Sequence, residues 1–193
     1  MSNLSIESVS RLRILVVCEP DEQGQSLLRH LQRTRAEVRQ QWPAPERIGE
    51  NADMVFCDYG PGLGGRLAWM PGEPQAALVL LMPRTGRVDL REVRAACPDA
   101  VLHRPYSEQA IDVALAIAHD HFNFGKRQRT RIARMDENIH AMRDIEMAKH
   151  ALMARDNIGE AAAFRLLRTM AMQKRVSVAM IASKFIDSSN DHL

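Results

Sequence analysis

The chain has 193 residues, 46% hydrophobic and 26% charged, which supports a buried core and excludes global disorder. Its length fits one domain of about 120 residues with a smaller second unit. The net charge of +2 is unevenly spread, with 13 Lys/Arg against 16 Asp/Glu in residues 1–123 and 13 against 8 in residues 124–193. Any polyanion would therefore meet the C-terminal part, unless the surplus arginines only solvate a helical surface.

The first elements alternate between strand and helix. Ile14-Leu15-Val16-Val17 reads as a buried parallel strand opening into Cys18-Glu19-Pro20-Asp21. Leu27, Leu28 and Leu31 recur at helical spacing. Val38 and Trp42 suggest a second strand, stopped by Pro43 and Pro45. Met54-Val55-Phe56-Cys57 is a third strand ending at Asp58, and the glycine-rich run Gly60 to Gly65 is expected to stay non-helical. Leu78 to Leu81 is a fourth strand, Asp89 to Cys97 a short helix, and Ala100-Val101-Leu102 a fifth strand before His103-Arg104-Pro105. Five strands alternating with helices predict an α/β fold with a doubly wound parallel sheet.

From Ser107 the pattern changes. Ser107 can cap a helix starting at Glu108, and no Pro and one Gly occur before Asn157, so a single long helix is expected. Ile132, Met135, Ile139 and Met142 follow the 3-4-3 spacing of a coiled-coil seam. A second copy is the natural partner for such a seam, although a helix packed back on its own sheet domain would also bury it. Asp156 to Gly159 is a turn. A helix follows over Glu160 to Gln173, with Phe164, Leu167 and Ala171 on one face. A final helix carries Val178, Ile181, Ala182 and Phe185, and a frayed polar tail is expected from Ser188. The domains expected are residues 1–106 (sheet), 107–144 (coiled-coil helix) and 145–193 (three-helix bundle).

Cys18, Cys57 and Cys97 lack metal-ligand spacing, and no CxxC is present, which suggests reduced thiols. Met1 to Ser10 has no apolar leader core, and no run approaches about 18 apolar residues, so a cytoplasmic protein is expected. The histidines form no HExxH or Ser/His/Asp pattern, so no catalytic residue, metal or cofactor is assigned and an enzyme is not expected. The methionines read as core and seam filler.

The strand ends hold Glu19, Asp21, Asp58 and Arg104, which resemble the site of a response-regulator receiver domain. That resemblance implies two acids holding a divalent metal, an Asp accepting a phosphoryl group, a hydroxyl residue after the fourth strand and a Lys before Pro. Asp58 matches the acceptor. Val17-Cys18-Glu19 offers one acid for a pair, Met82-Pro83 replaces the hydroxyl, and Arg104-Pro105 replaces Lys-Pro. Mg²⁺ needs hard oxygen ligands, and a thiol is a poor substitute. Asp58 is therefore expected to be an inactive acceptor position in a degenerate pseudo-receiver, paired with Arg104.

Ile145-x-x-Ala148-Lys149-x-x-Leu152-Met153, Ala162-Ala163-Phe164-x-x-Leu167-Arg168, Met170-Ala171-Met172 and Val178-x-x-Ile181-Ala182 resemble the ANTAR domain. Val38-Arg39-Gln40-Gln41-Trp42-Pro43-Ala44-Pro45-Glu46 is similar to the amidase-regulator branch of that family. The resemblance implies a transcription antiterminator that binds stem-loops in a leader RNA and prevents a terminator hairpin. It also implies control by a sensor of periplasmic-binding-protein fold, acting as a negative regulator in response to a small ligand.

RNA contacts need cations and planar groups. The candidates are Lys149, Arg165, Arg168, Gln173, Lys174 and Arg175. Lys174 and Arg175 could instead be charges favoured at a helix C-terminus, and Lys149 a coiled-coil flank. The run Lys126-Arg127-Gln128-Arg129 with Arg131 and Arg134 reads as a solvated flank or as an extension of the RNA surface. Three rivals stand beside this reading: a phosphorylation-driven response regulator with RNA output, a dimeric DNA-binding regulator, and a dimerising scaffold.

Overall fold

The computed structural model describes residues 11–70 and 72–190. The expectation for Met1 to Ser10 lies outside the described residues. The elements in chain order are β1 (Arg13–Val17), α1 (Glu22–Arg33), β2 (Glu37–Gln40), β3 (Met54–Asp58), α2 (Leu63–Arg66), β4 (Ala77–Met82), α3 (Leu90–Ala96), β5 (Ala100–His103), α4 (Glu108–Asp156), α5 (Glu160–Lys174) and α6 (Val178–Asn190). The five-stranded sheet has the order β2-β1-β3-β4-β5, and every pairing is parallel. The doubly wound sheet followed by a long helix and further helices is the architecture read from the sequence.

Continuous apolar runs form the central strands because both faces of the sheet are covered. On one face Ile14, Val16, Met54, Phe56, Val79 and Leu81 pack with Leu27 and Leu31 of α1 and with Ile111, Leu115 and Ala118 of α4. On the other, Leu15, Val55, Leu78 and Leu80 pack with Leu63 of α2, Trp69 and Ala96 of α3. Cys18 and Cys57 are buried and Cys97 is exposed.

Two local expectations are corrected. Trp42 does not belong to the second strand: β2 stops at Gln40, and Trp42 is half-exposed ahead of Pro43, which has no N–H to offer a ladder. The glycine-rich loop does contain a helical turn, α2. Gly62 starts it in the left-handed region (φ 71°), Leu63 buries itself in the core on the Leu15 and Val55 face of the sheet, and Gly64 lies so close to α3 that a Cβ there would sit 3.1 Å from the Ala95 backbone. Tertiary contact here pins a turn that local propensity disfavours.

α4 begins where Ser107 caps it, the Ala110 N–H donating to Ser107 Oγ at 3.1 Å, and it runs 49 residues without a break. It ends at Asn157, in the left-handed region (φ 53°). The C-terminal bundle packs the end of α4 against α5 and α6 around Ala148, Leu152, Ala163, Leu167, Ala171, Ile181 and Ala182. Phe164 is not on the inward face of α5: it is 41% exposed, and Ala163, four residues before Leu167, takes its place. The tail is also corrected, because the backbone of 188–190 remains helical; residues 191–193 lie outside the described residues. Two compact units result, with the division at Lys126/Arg127.

Candidate functional site

The sheet order places a switch point between β1 and β3, where an open α/β sheet forms its crevice. Asp58 ends β3 at this edge. Its Oδ2 accepts the Glu19 N–H at 2.9 Å, and its Oδ1 lies 3.5 Å from Arg104 Nη2. Arg104 Nη1 also pairs with Asp21, whose other oxygen accepts the Gly24 N–H at 2.7 Å and so caps α1. Gly24 is required there: a Cβ would fall 2.3 Å from the Glu19 carbonyl oxygen. The guanidinium of Arg104 is largely buried and stacks over Tyr106, 5.3 Å from the ring centroid.

The electrostatics follow from this packing. Burial pushes the Asp58 carboxyl above its ordinary value, against the opposing pull of the Glu19 amide and Arg104. Asp21 is held below its ordinary value: burial acts against ionisation but is outweighed by the Gly24 amide and Arg104. Burial, with the charge of Asp58 next, pushes the Cys18 thiol up to about 11, so it is protonated at neutral pH.

A receiver fold implies a divalent cation at this edge, and the residues present do not fit one. Cys18 is a buried neutral thiol where a hard oxygen is needed, Asp21 already serves Arg104 and the cap, and Glu19 is exposed and reaches Asp58 through its backbone. Among the described residues no group of three His, Cys, Asp or Glu side chains is placed to hold a metal. Met82, buried at the end of β4, adds no hydroxyl. Arg104 instead supplies a fixed positive charge inside the cluster. The sequence indicated the Asp58–Arg104 pair; the second partner of Arg104 is Asp21, brought in because α1 begins directly above it. Tyr106 beneath Arg104 carried no sequence signal beyond its nearness to Arg104-Pro105.

In the C-terminal unit, Arg165, Arg168, Gln173, Lys174 and Arg175 are all exposed on or just after α5. Arg165 and Arg168 are three apart and share a face. Arg175 holds the left-handed conformation (φ 55°) that closes α5, a position where glycine is favoured. Lys149 sits differently. Its stem is buried, and its ammonium donates to Glu146 Oε1 at 2.8 Å and to Glu160 Oε1 at 2.6 Å, joining α4 to the first turn of α5. Glu146 was legible at i−3; Glu160 was not, since only the turn at Asn157 brings it near.

Sheet, altered switch-point cluster and helical bundle together define a regulator built on a receiver-like fold. The family profile described as AmiR, N-terminal, matches residues 12–119, and the ANTAR domain profile matches residues 133–186. The chain belongs to the AmiR family and carries an ANTAR domain. No curated protein matches it. Among solved structures it is similar to a yeast Spc42 trimeric coiled-coil segment in a fusion, at 13% identity, TM-score 0.50, covering 68% of this chain and 94% of that one. It is also similar to response regulator StyR, at 15% identity, TM-score 0.48, covering 92% and 99%. A CheY-like response regulator from Mesorhizobium loti matches at 13% identity, TM-score 0.43, covering 56% and 98%. At such identities these likenesses concern the fold alone.

Proposed function

We propose that this protein is a cytoplasmic transcription antiterminator that binds stem-loops in a leader RNA as a homodimer and prevents the terminator hairpin from forming. The observation that carries the reading is the ANTAR match over a bundle that exposes Arg165, Arg168, Gln173, Lys174 and Arg175 along one helix and its end. Guanidinium forks suit phosphate oxygens, and their planes stack on unpaired bases. Lys149 belongs to the same proposed interface, but to reach a phosphate it must release Glu146 or Glu160. The dimer forms through Ile132, Met135, Ile139 and Met142, which a single chain leaves exposed. Among the described residues no helix is long and apolar enough to cross a membrane.

Input comes through contact with a ligand-sensing protein of periplasmic-binding-protein fold, which holds the protein inactive. The support is the switch-point cluster, where Arg104 stands among the carboxylates. Incubation with acetyl phosphate and Mg²⁺ is expected to leave no phosphoryl group on the protein, and Asp58→Asn is expected to change RNA affinity less than twofold. Incorporation abolished by that substitution would restore the phosphorylation-driven reading.

The direct test is binding of the full chain to its own leader RNA over a salt series, beside Arg168→Ala. Salt-sensitive binding to the stem-loop RNA, and not to duplex DNA of the same sequence, is expected. Arg168→Ala should weaken it about fivefold to tenfold and reduce the slope of log K against log salt by about one. Preference for the duplex DNA would replace the antiterminator reading with a DNA-binding one.

A further inference from the structure

Residues 121–135 of α4 hold five cations, Lys126, Arg127, Arg129, Arg131 and Arg134, and no Asp or Glu. Beyond them the signs mix, with Asp136, Glu137, Arg143, Asp144, Glu146 and Lys149. Arg127, Arg131 and Arg134 are exposed, and among the described residues none of the ion pairs on α4 involves them or Arg129. Like charges three and four apart on a helix repel, so this block opposes the helix that contains it. The only carboxylate at such spacing is Glu137, three residues after Arg134.

The geometry is that of a stripe. At about 100° per residue, Arg127, Arg131 and Arg134 fall within an arc of about 60°. Ile132, Met135, Ile139 and Met142 centre about a quarter turn away, so the stripe flanks the apolar seam without entering it. With Ile132 at heptad position a, Arg127 and Arg134 occupy the outer c positions and Arg131 the flanking g position. Asn138 continues the same face, so between Arg127 and Asn138 it offers hydrogen-bond donors and no apolar anchor. A protein interface would centre on apolar or aromatic side chains. Cations repeating at about 6 and 4.5 Å along an axis suit a polymer with regularly spaced negative charge.

We infer that this stripe is a second phosphate-binding surface, which holds RNA backbone flanking the stem-loops that the C-terminal bundle engages. The inference rests on the RNA-binding reading above. In a dimer both helices carry the stripe, and a phosphodiester chain laid along it relieves the repulsion within the block.

The test uses the full-length protein, the triple variant Arg127→Gln/Arg131→Gln/Arg134→Gln, and three probes: the chain's own leader stem-loops with their flanking nucleotides, the same stem-loops trimmed of them, and poly-glutamate. The expected result is a fall of about tenfold or more in affinity for the flanked RNA at 0.1 M salt. The slope of log K against log salt should become shallower by about two to three, with little change for the trimmed RNA. The pair Arg127→Gln/Arg134→Gln, which lies outside the seam, is expected to show about two thirds of that loss with the oligomeric state unchanged. Equal affinity and slope for variant and wild type on the flanked RNA would overturn the inference and leave the functional reading standing. A loss seen only with poly-glutamate would overturn it in favour of an acidic protein partner. A wild-type protein that binds neither RNA would remove the functional reading and this inference together.

Discussion

Replacing Leu167 by alanine is expected to destabilise the C-terminal bundle by about 3 kcal/mol, through lost apolar transfer and the cavity left behind. Leu167 is fully buried on α5, and four of the six other buried positions of its cluster are alanines: Ala148, Ala163, Ala171 and Ala182. Leu152 and Ile181 are the other large side chains at the centre. A core this thin, in a unit this small, holds only about 3–5 kcal/mol in total. The substitution should therefore leave the bundle at most about 2 kcal/mol of stability while the sheet domain stays intact. Chemical unfolding followed by circular dichroism should show an early helical transition split from the later unfolding of the sheet, and RNA binding should vanish with the first. A single transition at the wild-type midpoint would mean that the bundle draws its stability from elsewhere.

Placing a carboxylate in the seam, as Ile139→Asp, is expected to convert the proposed dimer to monomer. Ile132, Met135, Ile139 and Met142 are 58%, 54%, 61% and 69% exposed in the single chain, and in the proposed dimer a second copy covers them. Losing one such side chain from each helix removes about 4 kcal/mol of apolar burial, before counting the desolvation of two facing carboxylates. That raises the dissociation constant about a thousandfold. Light scattering over a concentration series reads this directly. The sheet domain should unfold at its wild-type midpoint, since its core contains none of these residues. A variant that remains dimeric at low concentration would place the interface on another surface.

Much of this architecture was legible because the signals were periodic and long. Apolar runs at Ile14–Val17, Met54–Cys57 and Leu78–Leu81 had to be strands buried on both faces, and they became the central three. The absence of proline from Ser107 to Asn157 marked one helix, and Ser107 marked its start. Where the reading failed, the deciding contact came from distant sequence. The α2 turn exists because Leu63 finds a core and Gly64 finds Ala95, neither of which the glycine-rich run reveals. Phe164 and Ala163 are neighbours in the chain, and the packing of α5 against α4 and α6 selects which of them faces inward.

The sites divide in the same way. The sequence by itself determined that Cys18, Met82 and Arg104 stand where a receiver needs an acid, a hydroxyl and a lysine, because those are identities at positions set by strand ends. It also determined the segregation of positive charge to the C-terminal part, which is a property of composition. Only the tertiary structure decided that Arg104 bridges Asp21 and Asp58 above Tyr106, and that Lys149 is held by Glu146 and Glu160 while Arg165 and Arg168 stay free to meet solvent. The physical reason is that a side chain's identity limits what it can bind, whereas its actual partner depends on which distant backbone packs within about 3 Å of it.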